Sequence, residues 1–327
     1  MAPKYAVGID LGGTKILTAV VDSSGHVLAT AKKSTQAEKG PEAVIDRIER
    51  TMDEALDEAK LKKEKVSSIG IGAPGIIDSA RGIAIALTNL PGWKNIEIAR
   101  ALRTWHNVPV VLSNDVRVAA VGEYRVGAGR GTHSMVAVFV GTGIGGGIII
   151  NGQPWVGFRS SAGEVGHMIT LADGPYAPGG GIRGGIEAIA SRSAIDRDLR
   201  AGIASGRKTV LPELMKEKGG DAITSSVLAK AVSKNDPLTL DVLRRAAHYL
   251  GLHAASVINV LDPEMLVYGG GVVEGLGEWM VSQIRDTAKQ YAINKQDLDK
   301  VKIVEAKLGE EAGVIGAALM GLDGMKN

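Results

Sequence analysis

The chain begins with apolar residues alternating toward a strand over residues 5–9, followed by a β-branched run over 15–21. The turn signal Asp22-Ser23-Ser24-Gly25 then leads into a third run over 27–31, so the pattern predicts a three-stranded antiparallel meander. From Pro41 the period changes. Val44, Ile45, Ile48, Met52, Ala55, Leu56 and Ala59 recur at helical spacing with charges between them, which predicts an amphipathic helix over 41–60. A buried strand over 66–71, a helix over 96–105, a strand over 108–112 and a helix over 115–124 follow. Such alternation predicts an α/β fold with an at least partly parallel sheet. A second strand, Gly/Thr turn and strand occupy 135–140, 141–147 and 148–151. Residues 5–20 laid over 135–150 fall in register, the pattern of a duplicated domain. Beyond lie a glycine-rich loop over 174–185, helical segments to 261, a strand over 265–268 ending in Gly269-Gly270-Gly271, and a terminal helix over 312–322.

Composition narrows the function classes. A length of 327 residues suggests two domains, and 45% hydrophobic with 23% charged residues is a globular composition. Lys+Arg 38 against Asp+Glu 36 leaves a net +2, so there is no electrostatic reason to expect nucleic acid or an anionic membrane as partner. The absence of cysteine excludes disulfides, thiolate zinc sites, iron–sulfur clusters and cysteine nucleophiles. Residues 1–4 run into the first strand without the pattern of a secretory leader, and the expected location is cytoplasmic. The apolar run 135–150 contains five glycines and falls short of the roughly 20 residues of a membrane span, so it reads as buried strands.

Several segments carry candidate chemistry. Gly8-Ile9-Asp10-Leu11-Gly12-Gly13-Thr14-Lys15 occupies the first hairpin turn, where glycine N–H groups and the Thr14 hydroxyl can approach phosphates and Asp10 can hold a hydrated Mg²⁺. The same residues also read as a tight turn satisfied by an Asp side chain. Gly141-Thr142-Gly143 repeats the character, so two matched loops suggest one polyphosphate gripped twice. The run Gly141-x-Gly143-x-x-Gly146 satisfies the dinucleotide pattern, but a strand rather than a helix follows it, and no P-loop occurs. Ser113-Asn114-Asp115 reads equally as a helix cap and as the place for a general base at the carboxyl end of a strand. Glu164, His167 and Glu187 read both as solvated or hydrogen-bonded structural residues and as groups suited to sugar hydroxyls, and no second His or Cys at zinc spacing accompanies Glu164 and His167.

Together with Gly72-Ala73-Pro74-Gly75, Thr88-Asn89-Leu90-Pro91-Gly92-Trp93, Asn114-Asp115, Gly141 to Gly147, Ala162-Gly163-Glu164-Val165-Gly166-His167 and Gly269-Gly270-Gly271, these motifs resemble the ROK family of sugar kinases and related repressors. That family lies within the actin-like ATPase superfamily, and the resemblance covers essentially the whole chain. It implies an α/β fold of two ribonuclease-H-like domains with mixed sheets flanked by helices and a cleft between them. The expected division is 1–114 plus 310–327 for the smaller domain and 115–309 for the larger. The implied activity is ATP-dependent phosphorylation of the 6-hydroxyl of glucose. Mannose, fructose, N-acetylglucosamine and N-acetylmannosamine are alternative substrates, polyphosphate an alternative donor, and a sugar-sensing regulator the alternative class. By matching motif, Asp115 resembles the general base, and Gly75, Asn89, Asn114, Glu164, His167 and Glu187 the sugar contacts. Asp10, Gly12, Gly13, Thr14, Lys15, Thr142, Gly143, Gly270 and Gly271 resemble the lining of the nucleotide and its Mg²⁺. The family also implies a homodimer or higher homo-oligomer.

Two departures are visible. Where many members carry C-x-C-G-x-x-G-C-x-E, this chain has Pro178-Gly179-Gly180-Gly181-Ile182-Arg183-Gly184-Gly185-Ile186-Glu187, so no structural zinc is expected and something else must fix the 174–185 loop. Arg117 stands where the family often has Asn.

Overall fold

The computed structural model describes residues 4–87, 90, 92–178 and 181–324. The chain runs β1 (Tyr5–Leu11), β2 (Lys15–Asp22), β3 (Val27–Ser34), α1 (Pro41–Glu58), β4 (Val66–Ala73), β5 (Ile76–Asp78), β6 (Ile83–Ala86), β7 (Lys94–Ile96), α2 (Ile98–Leu102), β8 (Val110–Asn114) and α3 (Asp115–Arg125). It continues through β9 (Met135–Val140), β10 (Ile144–Ile150), β11 (Gln153–Pro154), α4 (Ile186–Ala190), α5 (Arg192–Ala204), α6 (Leu211–Glu217), α7 (Ser225–Ser233) and α8 (Pro237–Leu261). It closes with β12 (Met265–Gly269), α9 (Gly271–Leu276), α10 (Glu278–Tyr291), β13 (Lys302–Glu305) and α11 (Ala312–Asp323). No helix of the described residues is long and apolar enough to cross a membrane.

Two five-stranded sheets share one plan. The first has the order β3-β2-β1-β4-β8 and the second β11-β10-β9-β12-β13. In the first, β1 pairs antiparallel with β2 and parallel with β4, and β4 pairs parallel with β8. In the second, β12 pairs parallel with both β9 and β13. The correspondence bears out the internal repeat seen in the sequence. A third sheet, β5-β6-β7, is small and antiparallel.

The chain divides into two compact units, Met1–His133 with Gly147–Gly163 and Glu310–Asn327, and Ser134–Gly146 with Glu164–Gly309. This differs from the expected division at 115–133, which includes α3, and at 147–163, both of which belong to the first unit. For α3 the reason is close packing: a Cβ on Gly316 of α11 would stand 1.7 Å from the Val118 carbonyl oxygen of α3. The same helix lies on the sheet, where a Cβ on Gly70 of β4 would meet the Ala317 oxygen at 1.8 Å. Ile315, Ala318 and Leu319 of α11 are buried. Val44, Ile48, Met52, Ala55 and Leu56 make the buried face of α1, as the helical period requires. The helix expected over 96–105 is shorter and follows strand β7, because the apolar positions there serve a loop whose Trp105 Nε1 donates to Asp53 Oδ1 at 2.8 Å. In the second unit the 25-residue α8 is the central buried helix. Its N-cap Asp236 accepts hydrogen bonds from the Thr239 N–H and hydroxyl, the Thr209 hydroxyl and the Val210 N–H.

Candidate active site

In the first unit the register places Asp10 of β1 opposite Gly72 of β4, and Gly72 opposite Ser113 of β8. All three lie toward the carboxyl ends of parallel strands, where open α/β sheets hold ligands. A Cβ on Gly72 would meet the Asp115 Cα at 3.2 Å, so the glycine lets the start of α3 descend onto the sheet beside Asp10. Asn114 ends β8 and caps α3, its Oδ1 accepting from Val116 N–H at 3.0 Å and Arg117 N–H at 3.2 Å. Capping therefore falls to Asn114, and Asp115 is the first residue of the helix, with Oδ1 on Val116 N–H at 2.9 Å. Burial and then the Asp115 charge push the Asp10 carboxyl from 3.8 up to about 6, with Lys15 opposing and Glu310 adding to the rise.

The turn after β1 is fixed by a residue that the sequence reading did not single out. The buried Thr35 hydroxyl donates to the Gly12 carbonyl at 2.7 Å, and its N–H donates to the Thr14 carbonyl at 2.9 Å. Thr14 is exposed and Gly13 partly so, while Lys15 forms an ion pair with Glu310 at 3.1 Å. Gly75 follows β4 with φ 107°, a left-handed value that favours glycine. Asn89 lies outside the described residues. Arg117 is buried and donates from Nη2 to the Ser160 and Ala162 carbonyls at 3.0 and 3.1 Å, so it ties the 157–163 loop to α3.

In the second unit Gly270 lies beside the end of β9. Its φ is 83°, and a Cβ there would stand 2.7 Å from the Val140 oxygen. This brings Gly270 and Gly271 next to the turn of Gly141, Thr142 and Gly143. Glu187 is also drawn to that turn: its Oε2 accepts from Ile144 N–H at 2.8 Å and fills the space where a Gly143 side chain would be. Arg192 of α5 donates from Nη2 to the Thr142 hydroxyl at 2.6 Å.

Glu164 and His167 flank a short turn and are exposed, with Oε2 and Nε2 3.9 Å apart. Two buried contacts support that turn. A Cβ on Gly166 would stand 1.9 Å from the Ile144 oxygen, and His253 Nε2 of α8 lies 3.2 Å from the Val165 carbonyl. Burial pushes His253 down to about 4, so it is neutral and donates from Nε2. No local pattern marks His253, because its partner is 88 residues away.

The donor sets decide which metals fit. Among the described residues no group of three or more His, Cys, Asp or Glu is placed to hold a metal ion. Mg²⁺ does not require one, because it keeps several waters and takes one or two carboxylates beside phosphates. Asp10, whose carboxyl is raised first by burial and then by the neighbouring Asp115 carboxylate, suits such a cation. A thiolate zinc does not fit a chain without cysteine. Among the described residues of the 174–185 segment, Arg183 donates from Nε to the Gly174 carbonyl at 2.9 Å and from Nη2 to the Asp173 carbonyl at 3.2 Å. Isolated bridges between Ile169 and Gly185 and between Tyr176 and Arg183 add to it.

Comparison with known proteins gives one consistent result. The chain is 32% identical over 316 residues to a glucokinase of Halalkalibacterium halodurans, covering 97% of this chain and 94% of that protein. A ROK hexokinase structure from Thermus thermophilus superposes with a TM-score of 0.81 at 33% identity, covering 98% and 99% of the two chains. A ROK family glucokinase from Streptomyces griseus, in complex with glucose and AMPPNP, gives 0.82 at 30% identity with the same coverage. The model of the ROK family matches residues 6–323, and the chain belongs to that family.

Proposed function

We propose that this protein is an ATP-dependent hexose kinase whose preferred acceptor is the 6-hydroxyl of glucose. The observation that carries the reading is the placement of Asp10 and Asp115 side by side at the carboxyl ends of the parallel strands, in a chain related along its whole length to glucokinases. Asp115 is the general base. As its carboxylate takes the hydroxyl proton, the sugar oxygen forms a bond to the γ-phosphorus, the bond to the bridging oxygen breaks, and ADP leaves. Asn114 contributes by fixing the first turn of α3, so the base needs no reorganisation. Gly75, Asn114, Glu164, His167 and Glu187 contact sugar hydroxyls, and Asn89 belongs to the same set by resemblance. The turns at 12–15 and 141–143, with Gly270 and Gly271, donate N–H and hydroxyl groups to phosphate oxygens. Asp10 is the residue that would hold Mg²⁺, which would supply charge neutralisation on the phosphates. A cytoplasmic location and a homo-oligomeric state belong to the same reading.

The test is ADP release with Mg-ATP across glucose, mannose, fructose, N-acetylglucosamine and N-acetylmannosamine, each against a no-sugar control. Release stimulated most by glucose is expected; a folded protein that responds to none of these sugars would refute the reading. Asp115→Asn should keep glucose binding and lose about 10²- to 10⁴-fold in kcat, the contribution of a positioned base.

A further inference from the structure

The turn at 141–143 has its acceptors used and its donors left over. The Gly141 carbonyl accepts from Arg192 N–H at 2.9 Å, the Thr142 carbonyl from the Ser193 hydroxyl at 2.8 Å, and the Gly143 carbonyl from Gly141 N–H at 2.9 Å. Ile144 N–H is taken by Glu187. The N–H groups of Thr142 and Gly143 meet no acceptor among the described residues. Adjacent N–H groups without acceptors suit an anion.

The Arg192 side chain adds charge at this place. Its Nη2 donates to the Thr142 hydroxyl, which leaves the hydroxyl's own hydrogen free to point elsewhere and four further guanidinium N–H donors uncommitted. Other arginines of α5 are neutralised: Arg197 by Asp198 and Arg200 by Asp196. Arg192 forms no ion pair among the described residues, and its exposed guanidinium is held at the turn by a hydroxyl rather than a carboxylate. The Glu187 carboxyl group occupies the same turn, and the Arg192 guanidinium stands on its Thr142 side.

We infer that Arg192 is a nucleotide-binding residue whose guanidinium contacts the phosphate chain beside Thr142. This rests on the kinase reading and assigns to it a cationic phosphate contact outside the Gly/Thr motifs. Arg192→Met keeps the aliphatic stem and the backbone bond to Gly141, and Arg192→Lys keeps the charge.

The test combines steady-state kinetics with equilibrium titration of ATP and AMP into wild type and both variants in Mg²⁺ buffer. For Arg192→Met, KM for ATP and the ATP dissociation constant should rise about tenfold or more, the scale of one lost charge-assisted hydrogen bond. KM for glucose and the thermal midpoint should stay constant, AMP binding should change far less than ATP binding, and Arg192→Lys should restore part of the loss. ATP affinity equal in wild type and Arg192→Met would overturn the inference alone, as would equal weakening of ATP and AMP. Failure of the wild type to bind ATP would overturn the kinase reading together with it.

Discussion

Replacing Asp10 by Asn should make the unliganded protein more stable while removing its activity. The folded state raises this carboxyl from 3.8 to about 6, first through burial and then through the Asp115 charge. A raised acid pKa means that the folded state binds the proton more tightly than the unfolded chain does. Ionisation therefore costs the folded state nothing below pH 3.8 and an increasing amount between 3.8 and about 6, after which the penalty is constant. At about 1.4 kcal/mol per pH unit the full penalty is about 3 kcal/mol above pH 7. Asp10→Asn abolishes it, which for a unit of this size raises the melting temperature by roughly 6–12 °C. Scanning calorimetry in chelator-containing buffer between pH 4 and 8 measures the difference. The gain should be greatest at pH 7 to 8 and vanish toward pH 4. A variant no more stable than wild type at pH 7.5, or a gain independent of pH, would refute the argument. Turnover by Asp10→Asn should fall with it, because the carboxylate proposed to hold the Mg²⁺ hydration shell is gone.

Asp236→Ala should lower stability by about 2–4 kcal/mol in urea titrations, since it removes the cap of α8 and strands the Val210 and Thr239 donors. Burial acts to raise the Asp236 carboxyl, but its hydrogen bonds from Thr239, Val210 and Thr209 outweigh that and lower it. Wild type should therefore lose this contribution as the pH falls below the ordinary carboxylate range, a loss that Asp236→Asn should not show. Gly316→Ala should fail to give folded protein or cost more than about 4 kcal/mol, because no side-chain rotation can relieve a clash with the backbone of α3. Gly220→Ala, where a Cβ meets nothing within 4 Å, should stay within about 0.5 kcal/mol, and equal effects in the two variants would contradict the packing argument.

Much of the scaffold was legible because its periods are local. The meander of β1 to β3 and the face of α1 follow from alternation and from 3.6-residue spacing, and the repeat of residues 5–20 at 135–150 reappears as two sheets of one order. Boundaries moved where a side chain decides them. The strand expected to stop at 112 runs on to Asn114 because the Asn114 side chain caps the next helix. The small β5-β6-β7 sheet was not foreseen, since strands of three or four residues carry too few alternations to register. Of the candidate site, the Gly/Thr turns and Asp115 were legible as motifs. Thr35, Arg192 and His253 were not, because each acts on a partner distant in sequence and nothing adjacent marks it. Arg183 shows how a lost motif can be read and its replacement missed: the absent cysteines announced a loop without thiolate ligands, but not the guanidinium that spans it.

The placement of α11 bears on the order in which the protein is made. β1, β4 and α3 leave the ribosome early, yet the helix that covers Gly70 and packs along α3 is translated only after the whole of the second unit. Until then the nascent first unit presents an open, glycine-floored apolar groove. The second unit has all its strands and helices before that groove can close, so the half of the protein that is synthesised first is completed last.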